Sequence, residues 1–267
     1  MAKKLDDSDY SALIEYVFSA HYRKSGREFT FARNELVDAA KQLGVPRPKN
    51  IGDVVYAFRY RKQLPQAIMK TQPEGFEWII QGAGRAAYRF RLVPHNRILP
   101  RPNLYPVKIP DSTPEIIGNY ALGDEQALLA KVRYNRLIDV FLGITAYSLQ
   151  NHLRTSVKGI GQIEIDEIYV AVDKHGRQYV IPVQAKGGHD QHGVVQTTQD
   201  IACCAAKFPG LICRPISVQF MEDGTIAMFE LIENKGVINV LDEKHYQLVP
   251  ASSITPEEMA EYGRRAK

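Results

Sequence analysis

Four polar side chains interrupt two otherwise apolar runs between Ile163 and Lys186. Glu164 and Asp166 lie in the first run, Gln184 and Lys186 lie in the second, and the members of each pair are two residues apart. Because side chains alternate between the two faces of a β-strand, each pair shares one face of its strand. Carboxylate and amide oxygens are ligands that hard divalent cations prefer, and a nearby ammonium group stabilises developing negative charge. The pattern is therefore typical of metal-assisted hydrolysis.

The segment that joins the two runs, Asp173–Arg177, has the composition of a hairpin turn. Gly176 can adopt the left-handed conformation that closes a three-residue loop, and Asp173 then faces Arg177. Directly opposed residues of a hairpin share a face. The register that follows brings all four polar side chains to one face in two opposed pairs, Asp166 with Gln184 and Glu164 with Lys186.

A bound divalent cation would explain this convergence. Asp166 and Glu164 offer anionic oxygens, Gln184 offers a neutral one, and the Ala185 carbonyl can complete a Mg²⁺ site together with water. Lys186 is not a ligand, but its ammonium group can neutralise charge on a phosphorane-like transition state. The alternative is a structural network in which Glu164 pairs with Lys186 and Asp166 hydrogen bonds to Gln184. We expect the metal site, because burying four polar side chains on one face is costly without a ligand.

The stretch "IEIDEIYV…YVIPVQAKGG" resembles the PD-(D/E)XK nuclease superfamily, which has the restriction-endonuclease fold. It is most similar to the Mrr-like branch, in which glutamine replaces the acid before x-Lys. Asp166 corresponds to the invariant aspartate of the family, and Gln184 and Lys186 correspond to the Q-x-K motif. Ile165 stands where many members have proline. The resemblance covers about residues 120–232.

This resemblance implies a Mg²⁺-dependent nuclease in which Mn²⁺ can replace Mg²⁺. It also implies that the first core helix donates a further acid to the metal. Glu125 and Asp139 are the two candidates on the predicted helix, and Glu164 is the alternative within the strand. Because Gln184 carries no charge, one or two metal ions both remain open. Replacing Gln184 by glutamate would restore the acid that is commoner in the superfamily.

The amino-terminal residues predict three helices followed by a β-hairpin: "DSDYSALIEYVFSAHYRK", "TFARNELVDAAKQLG", "RPKNIGDVVYAFRYRKQLP", and then "FEWIIQ" and "AAYRFRLV" around a "GAGR" turn. This order of elements resembles a winged helix-turn-helix domain over roughly residues 8–93. In that fold the third helix enters the major groove of DNA and the hairpin contacts the backbone or the minor groove. The resemblance implies DNA contacts from basic residues of both elements, namely Arg59, Arg61 and Lys62 on the helix, and Arg85, Arg89 and Arg91 on the hairpin.

The predicted organisation is a winged-helix-like domain at 1–95, a proline-rich extended linker at 96–119, and a nuclease-like domain at 120–267. In the third part the pattern predicts helices at "DEQALLAKVRYNRLIDVFLG", "ITAYSLQNHLRTSVKG" and "VVQTTQDIACCAAKF". A second hairpin, a short strand near "GVINVL" and a capped terminal helix follow. We therefore expect an α/β (α+β) fold with a restriction-endonuclease-like mixed central sheet flanked by helices.

Charge is distributed unevenly along the 267 residues. Residues 1–100 contain 17 Lys/Arg and 10 Asp/Glu, a balance of +7, whereas residues 101–267 contain 17 and 20, a balance of −3, which together give the net +4. A basic first part is typical of a module that binds a polyanion.

No apolar run reaches membrane-spanning length, and three cysteines without a CxxC pair argue against a zinc ribbon or a disulfide framework. We expect a cytoplasmic protein that does not bind membranes.

The function expected from these features is Mg²⁺-dependent endonucleolytic cleavage of double-stranded DNA by a sequence-specific or modification-dependent restriction or defence enzyme. Cutting both strands of a duplex usually needs two active sites, so a homodimer is expected. One alternative is a DNA repair or structure-specific nuclease. Another is a non-catalytic DNA-binding regulator whose nuclease-like domain serves dimerisation. The recognition sequence and the position of cleavage do not follow from the sequence.

Overall fold

The computed structural model describes residues 7–48, 50–94, 97–120, 125–187 and 190–265. The chain forms two compact units. The first comprises Met1–Arg97, Thr155–Ile163 and Gly193–Gln199, and the second comprises Ile98–Arg154, Glu164–His192 and Asp200–Lys267. No helix formed by the described residues is long and apolar enough to cross a membrane.

The amino-terminal part contains four α-helices and three strands among the described residues: α1 (Asp7–His21), β1 (Glu28–Ala32), α2 (Glu35–Leu43), α3 (Ile51–Tyr56), α4 (Gln66–Met69), β2 (Glu77–Gly82) and β3 (Ala87–Val93). The strands form an antiparallel sheet in the order β1-β3-β2. The apolar stripe of α1 packs on this sheet around Phe18, whose ring contacts Trp78 and Phe90 edge-on. An aromatic cluster of this kind contributes both buried area and directional ring contacts.

The second predicted helix begins later than its sequence pattern suggested. The predicted helix started at Thr30, but Glu28–Ala32 forms the strand β1. Phe29 and Phe31 are two residues apart, so a strand places both rings on one face, where each packs near Phe90. The helix then begins at Glu35, whose carboxylate accepts a hydrogen bond from the Ala32 main chain. Its predicted end at Gly44 is confirmed by a left-handed φ of 65°.

The third predicted helix has the expected cap and buried face. The Asn50 side chain accepts a hydrogen bond from Gly52 N at 3.1 Å, and Asp53 lies in the first turn. After Tyr56 the helix continues as a π-helical turn, Ala57–Arg61. The wider turn rotates the residues that follow it, so the positions of basic side chains here differ from those of a regular α-helix.

The second part of the chain contains the remaining elements: β4 (Arg97–Ile98), β5 (Val107–Pro110), α5 (Glu115–Tyr120), α6 (Glu125–Tyr134), α7 (Leu137–Leu142), β6 (Thr145–Val157), β7 (Gly161–Val172), β8 (Gln178–Lys186), β9 (His192–Gly193), α8 (Val194–Lys207), β10 (Ile212–Cys213), β11 (Ile216–Phe220), β12 (Ile226–Asn234), β13 (Val237–Val249), a 3₁₀ turn (Ala251–Ser253) and α9 (Pro256–Arg265). Within the described residues, eight strands form one sheet in the order β5-β13-β12-β11-β8-β7-β6, with β10 also paired to β8. The sheet is mixed, because β8 is parallel to β11 and antiparallel to β7.

One face of this sheet buries its apolar side chains under α6 and α7. Ile181 and Val183 of β8 are fully buried in the same cluster as Leu128 and Val132 of α6 and Ile138 of α7. A mixed sheet with helices packed against it confirms the predicted α/β class at this level of detail.

The helix predicted over residues 144–159 is wrong, because this segment forms the edge strand β6. Thr145, Thr155 and Val157 are β-branched and favour extended backbone. In its second half, Leu153, Thr155 and Val157 are partly buried while the residues between them are exposed, which is the two-residue alternation of a strand. The remainder of β6 is largely exposed, so its apolar pattern did not identify the strand.

The stretch predicted as an extended linker is partly built into the sheet. Val107–Pro110 forms the edge strand β5, which pairs in parallel with β13. Arg101 also contacts β13, because its main-chain N and its Nε donate to the carboxylate of Glu243 at 2.8 and 2.7 Å. The segment therefore follows the surface of the second unit along much of its length.

Candidate functional site

The hairpin β7–β8 has the register expected from its turn. Asp173 N donates to Arg177 O at 3.1 Å, and Gly176 has the left-handed φ of 78° that closes the loop. Pairs run from Val172 opposite Gln178 to Glu167 opposite Val183. Continuing this register by one residue places Asp166 beside Gln184, as predicted.

Asp166 lies at the point where β7 and β8 approach the end of their pairing. Its Oδ2 accepts a hydrogen bond from Ala185 N at 2.8 Å, and its Oδ1 accepts none from the described residues. Burial raises the pKa of Asp166, as do the charges of Glu125 and Glu164, while the hydrogen bond from Ala185 and the charge of Lys186 act against the rise. A cation beside Oδ1 would lower the cost of keeping this carboxylate charged.

Lys186 forms an ion pair with the acid at the start of α6. Its Nζ lies 3.1 Å from Oε1 of Glu125, and the Lys186 side chain is 14% exposed. Asp139, the other predicted helix acid, lies in α7, where it accepts from Ala146 N at 3.0 Å and from the Arg136 guanidinium. Of the two candidates, Glu125 is therefore the one that the structure places against the lysine of the motif.

Gln184 is buried beside a carboxylate that the sequence analysis missed. Its Nε2 donates to the main-chain oxygen of Glu164 at 2.9 Å and to Oδ1 of Asp200 at 3.2 Å. Asp200 belongs to α8 and is 2% exposed, and its burial raises its pKa well above the ordinary value. The available signal was that Asp200 is the one acidic residue of "VVQTTQDIACCAAKF", the predicted helix that follows the motif.

The Glu164 side chain is engaged by the neighbouring strand. Its Oε1 lies 3.1 Å from both Arg154 Nη2 and His152 Nε2 of β6, and its side chain is 46% exposed. The structure thus brings Asp166, Gln184, Lys186 and Glu125 together, while the Glu164 carboxylate lies against Arg154 and His152. His189, which follows the lysine in the sequence, lies outside the described residues.

A second buried acid lies on the opposite face of β7. Glu167 is fully buried, where it accepts from Arg133 Nε at 2.9 Å, from Arg133 Nη2 at 3.1 Å and from Ser148 Oγ at 2.6 Å. A cleft of about 380 Å³ adjoins this group and is lined by Arg133, Ser148, Arg136 and Asp139 among others. These polar groups already hydrogen bond to one another, so the arrangement stabilises the buried charge of Glu167 and leaves few donors or acceptors for a ligand.

The predicted DNA-contacting residues of the third helix have different surroundings. The Nε and Nη2 of Arg59 are buried without a hydrogen-bond acceptor among the described residues, and its guanidinium lies 4.9 Å from the Tyr60 ring. Arg61 is exposed and lies over Tyr56, with 5.0 Å between its guanidinium carbon and the ring centre. Lys62 forms an ion pair with Asp7. Arg61 is thus the member of this group whose charge faces solvent.

The predicted wing arginines lie on or beside β3. Arg85 is exposed in the turn that precedes the strand, and Arg91 is half-buried. Arg89 is also half-buried and lies 3.6 Å from the Glu28 carboxylate. Arg89 and Arg91 alternate with the buried Phe90, so both side chains project from the face opposite the aromatic core.

The donor set suits a hard divalent cation. Asp166 and Glu125 have carboxylates, and Gln184 Oε1 accepts no hydrogen bond from the described residues. Among the described residues, no group of three or more His, Cys, Asp or Glu side chains converges as a ready metal cluster. A set of two carboxylates, an amide oxygen and a main-chain carbonyl still fits Mg²⁺, which is usually bound through few carboxylates and keeps several waters.

Comparison of the chain with protein-family models, with curated proteins and with solved structures returns no match. The resemblance to the nuclease superfamily consequently depends on the motif residues and on their surroundings in this chain.

Proposed function

We propose that this chain is a Mg²⁺-dependent endodeoxyribonuclease that hydrolyses phosphodiester bonds of double-stranded DNA. The observation that carries this proposal is the meeting of Asp166 from the middle of β7, Gln184 and Lys186 from the end of β8, and Glu125 from the start of α6. Residues of these types, brought from three elements to one place, meet the requirements of metal-assisted phosphodiester hydrolysis.

Each residue has a distinct role in this proposal. Asp166, Glu125, the Gln184 amide oxygen and the Ala185 carbonyl would hold the cation, which supplies Lewis acidity and a more acidic bound water. Mn²⁺ can replace Mg²⁺ at such an oxygen site. Lys186, held by Glu125 beside Asp166, provides a positive charge for the phosphoryl oxygens as negative charge develops in the transition state.

The surrounding elements support the restriction-endonuclease-like interpretation. The motif lies on a hairpin, α8 follows it, and β11 then returns parallel to β8. This is the sequence of strands, crossover helix and further strands that the resemblance implies. The sheet β1-β3-β2 and the helices of the amino-terminal part likewise support a winged-helix DNA-binding domain.

In the amino-terminal part, Arg61 and Arg85 are the exposed predicted contacts, and Arg89 and Arg91 are partly exposed on the wing. Their proposed task is to bind phosphates and to orient the chain on the duplex. A homodimer would supply two sites for cutting both strands. Restriction or defence is the role that we assign to this combination by analogy with the family.

A non-catalytic DNA-binding regulator is the second candidate. The observation that favours it is the Lys186–Glu125 ion pair. In this pair the proposed catalytic lysine and a proposed metal ligand are bound to each other. A regulator would keep that pair permanently, and its removal would affect stability but no chemistry.

Digestion of plasmid DNA separates these functions. Methylated and unmethylated plasmids are incubated with the protein in Mg²⁺, Mn²⁺ or EDTA, and the DNA ends are sequenced. The proposal predicts cleavage in Mg²⁺ that EDTA abolishes. Binding without cleavage of either plasmid in either metal would favour the regulator. Junction-containing and damaged duplexes are digested in parallel, and cleavage confined to these would assign the chain to repair.

A further inference from the structure

The amide of Gln184 is held from two sides. An amide nitrogen carries two hydrogens, and here one bonds to the Glu164 carbonyl at 2.9 Å and the other to Asp200 Oδ1 at 3.2 Å. Oε1 accepts no hydrogen bond from the described residues. The side chain thus has its nitrogen fully used and its oxygen available to a ligand.

The two partners determine which way the amide points. A main-chain carbonyl and a carboxylate both offer acceptor oxygens, so turning the amide over would place Oε1 against two acceptors and break both bonds. Gln184 and Asp200 are each only 2% exposed, and water cannot easily replace the lost partners. Asp200 is therefore part of what fixes the orientation of Gln184.

We infer that Asp200 is a positioning residue, which holds Gln184 with its oxygen free for the cation and requires an amide at position 184. The inference rests on the proposed nuclease function. Its physical basis is that a glutamate at 184 has no amide hydrogens to donate to Asp200 Oδ1 and to the Glu164 carbonyl, so both buried hydrogen bonds would be lost. The Q-x-K motif of this chain would then be a consequence of Asp200.

A specific reversal follows from this pairing. Gln184→Glu alone introduces the commoner acid of the superfamily, yet it should impair the site because Asp200 stays in place. Adding Asp200→Asn gives the new carboxylate an amide donor where Asp200 offered an acceptor. The hydrogen bond between the two positions is then kept with its direction reversed. The second substitution should rescue the part of the loss that comes from position 200, whereas the Glu164 carbonyl lacks its donor in both variants.

The test uses the full chain in five variants: Asp200→Asn, Asp200→Leu, Gln184→Glu, the Gln184→Glu/Asp200→Asn double variant, and the exposed control Glu233→Gln. The Mg²⁺ concentration for half-maximal cleavage and the DNA concentration for half-maximal cleavage are measured separately. Asp200→Leu should raise the Mg²⁺ concentration for half-maximal cleavage about tenfold, because a residue that holds a metal ligand in place is lost. It should leave the DNA concentration for half-maximal cleavage unchanged. Asp200→Asn, whose oxygen still accepts from Gln184, should stay within a few-fold of wild type. The double variant should need at least about tenfold less Mg²⁺ than Gln184→Glu.

Equal effects of Gln184→Glu in the wild-type and Asp200→Asn backgrounds would overturn the inference. Thermal melting in EDTA provides a readout that does not depend on catalysis. The inference predicts a lower melting temperature for Gln184→Glu, which Asp200→Asn should partly restore. If the wild-type protein neither binds Mg²⁺ nor cleaves DNA, the proposed function fails, and the melting experiment alone shows whether Asp200 holds Gln184. Additive melting shifts would show that it does not, whatever the chain does to DNA.

Discussion

At the scale of residues, two neighbouring acids of β7 show how surroundings separate a structural role from a chemical one. Glu167 is fully buried and receives three hydrogen bonds from Arg133 and Ser148. Asp166, the residue before it, points to the other face and receives one, from Ala185 N. Burial raises the pKa of Asp166, so this carboxylate gains from any added positive charge. Only the acid with an unused oxygen suits a metal.

The Arg101–Glu243 pair offers a test of how the predicted linker is anchored. Burial opposes ionisation of Glu243, but the hydrogen bonds with Arg101 and His245 and the charge of Arg101 together outweigh it, and the pKa of Glu243 lies below its ordinary 4.5. Arg101→Met should lower the free energy of unfolding at pH 7 by about 1–3 kcal/mol, because a buried carboxylate loses its charged donor. Urea denaturation of both proteins measures the difference.

The pH dependence of that difference follows from the sign of the shift. A carboxylate with a depressed folded-state pKa contributes stability above its unfolded-state pKa and loses it as pH falls through the folded value. The deficit of Arg101→Met should therefore be full above about pH 5 and should shrink at lower pH. Arg264→Met, which removes a surface arginine paired with the more exposed Glu261, should cost less than about 1 kcal/mol. A deficit that did not change with pH would contradict this account.

At the scale of elements, local signals predicted the parts that local chemistry determines. The "DKHGR" turn contains the glycine and the aspartate that fix the β7–β8 register, so this pairing followed from the sequence. The capping box of α9 is also confirmed, with Thr255 N donating to Glu258 at 2.9 Å and Glu258 N to Thr255 Oγ1 at 3.2 Å. In both cases the partners are close together in the chain.

Other elements depend on distant partners, and sequence patterns missed them. Exposed edge strands have weak alternation, which explains why β6 was assigned as a helix. The strand β5 exists because β13 offers it a pairing edge. The site follows the same rule: the motif residues of the hairpin were identified, whereas Asp200 reaches Gln184 only through the packing of α8. Glu125 and Asp139 are equivalent candidates in the sequence, and only the packing of α6 beside β8 brings Glu125 to Lys186.

At the scale of the whole molecule, the proposed function predicts that the basic first hundred residues determine the affinity for duplex DNA. Each phosphate contact steepens the plot of log affinity against log salt by about 0.9 for duplex DNA. The triple variant Arg61→Ala, Arg85→Ala, Arg91→Ala should therefore bind less tightly at low salt and should show a slope shallower by about 1–3. Fluorescence anisotropy with labelled duplex measures it, with Asp166→Ala in both proteins to prevent cleavage.

The matched control removes the same charge from the second unit. Lys174, Lys207 and Lys235 are exposed, and their joint replacement by alanine lowers the net charge by three. This variant should keep most of the wild-type slope if the amino-terminal part binds the duplex. Equal slopes for the two triple variants would show that DNA binding depends on net charge alone. The proposal that the amino-terminal part binds the duplex would then lose its support.

The most direct test of the central claim is the single-turnover rate of DNA cleavage in Mg²⁺ by wild type, Asp166→Ala and Lys186→Ala. The control is Lys207→Ala, which removes an exposed lysine of α8. If the face shared by β7 and β8 is the catalytic site, both site variants should lose about a hundredfold or more in rate. They should still melt cooperatively and bind DNA, and the control should match wild type. A folded Lys186→Ala protein that cleaves within a few-fold of the wild-type rate would contradict the account.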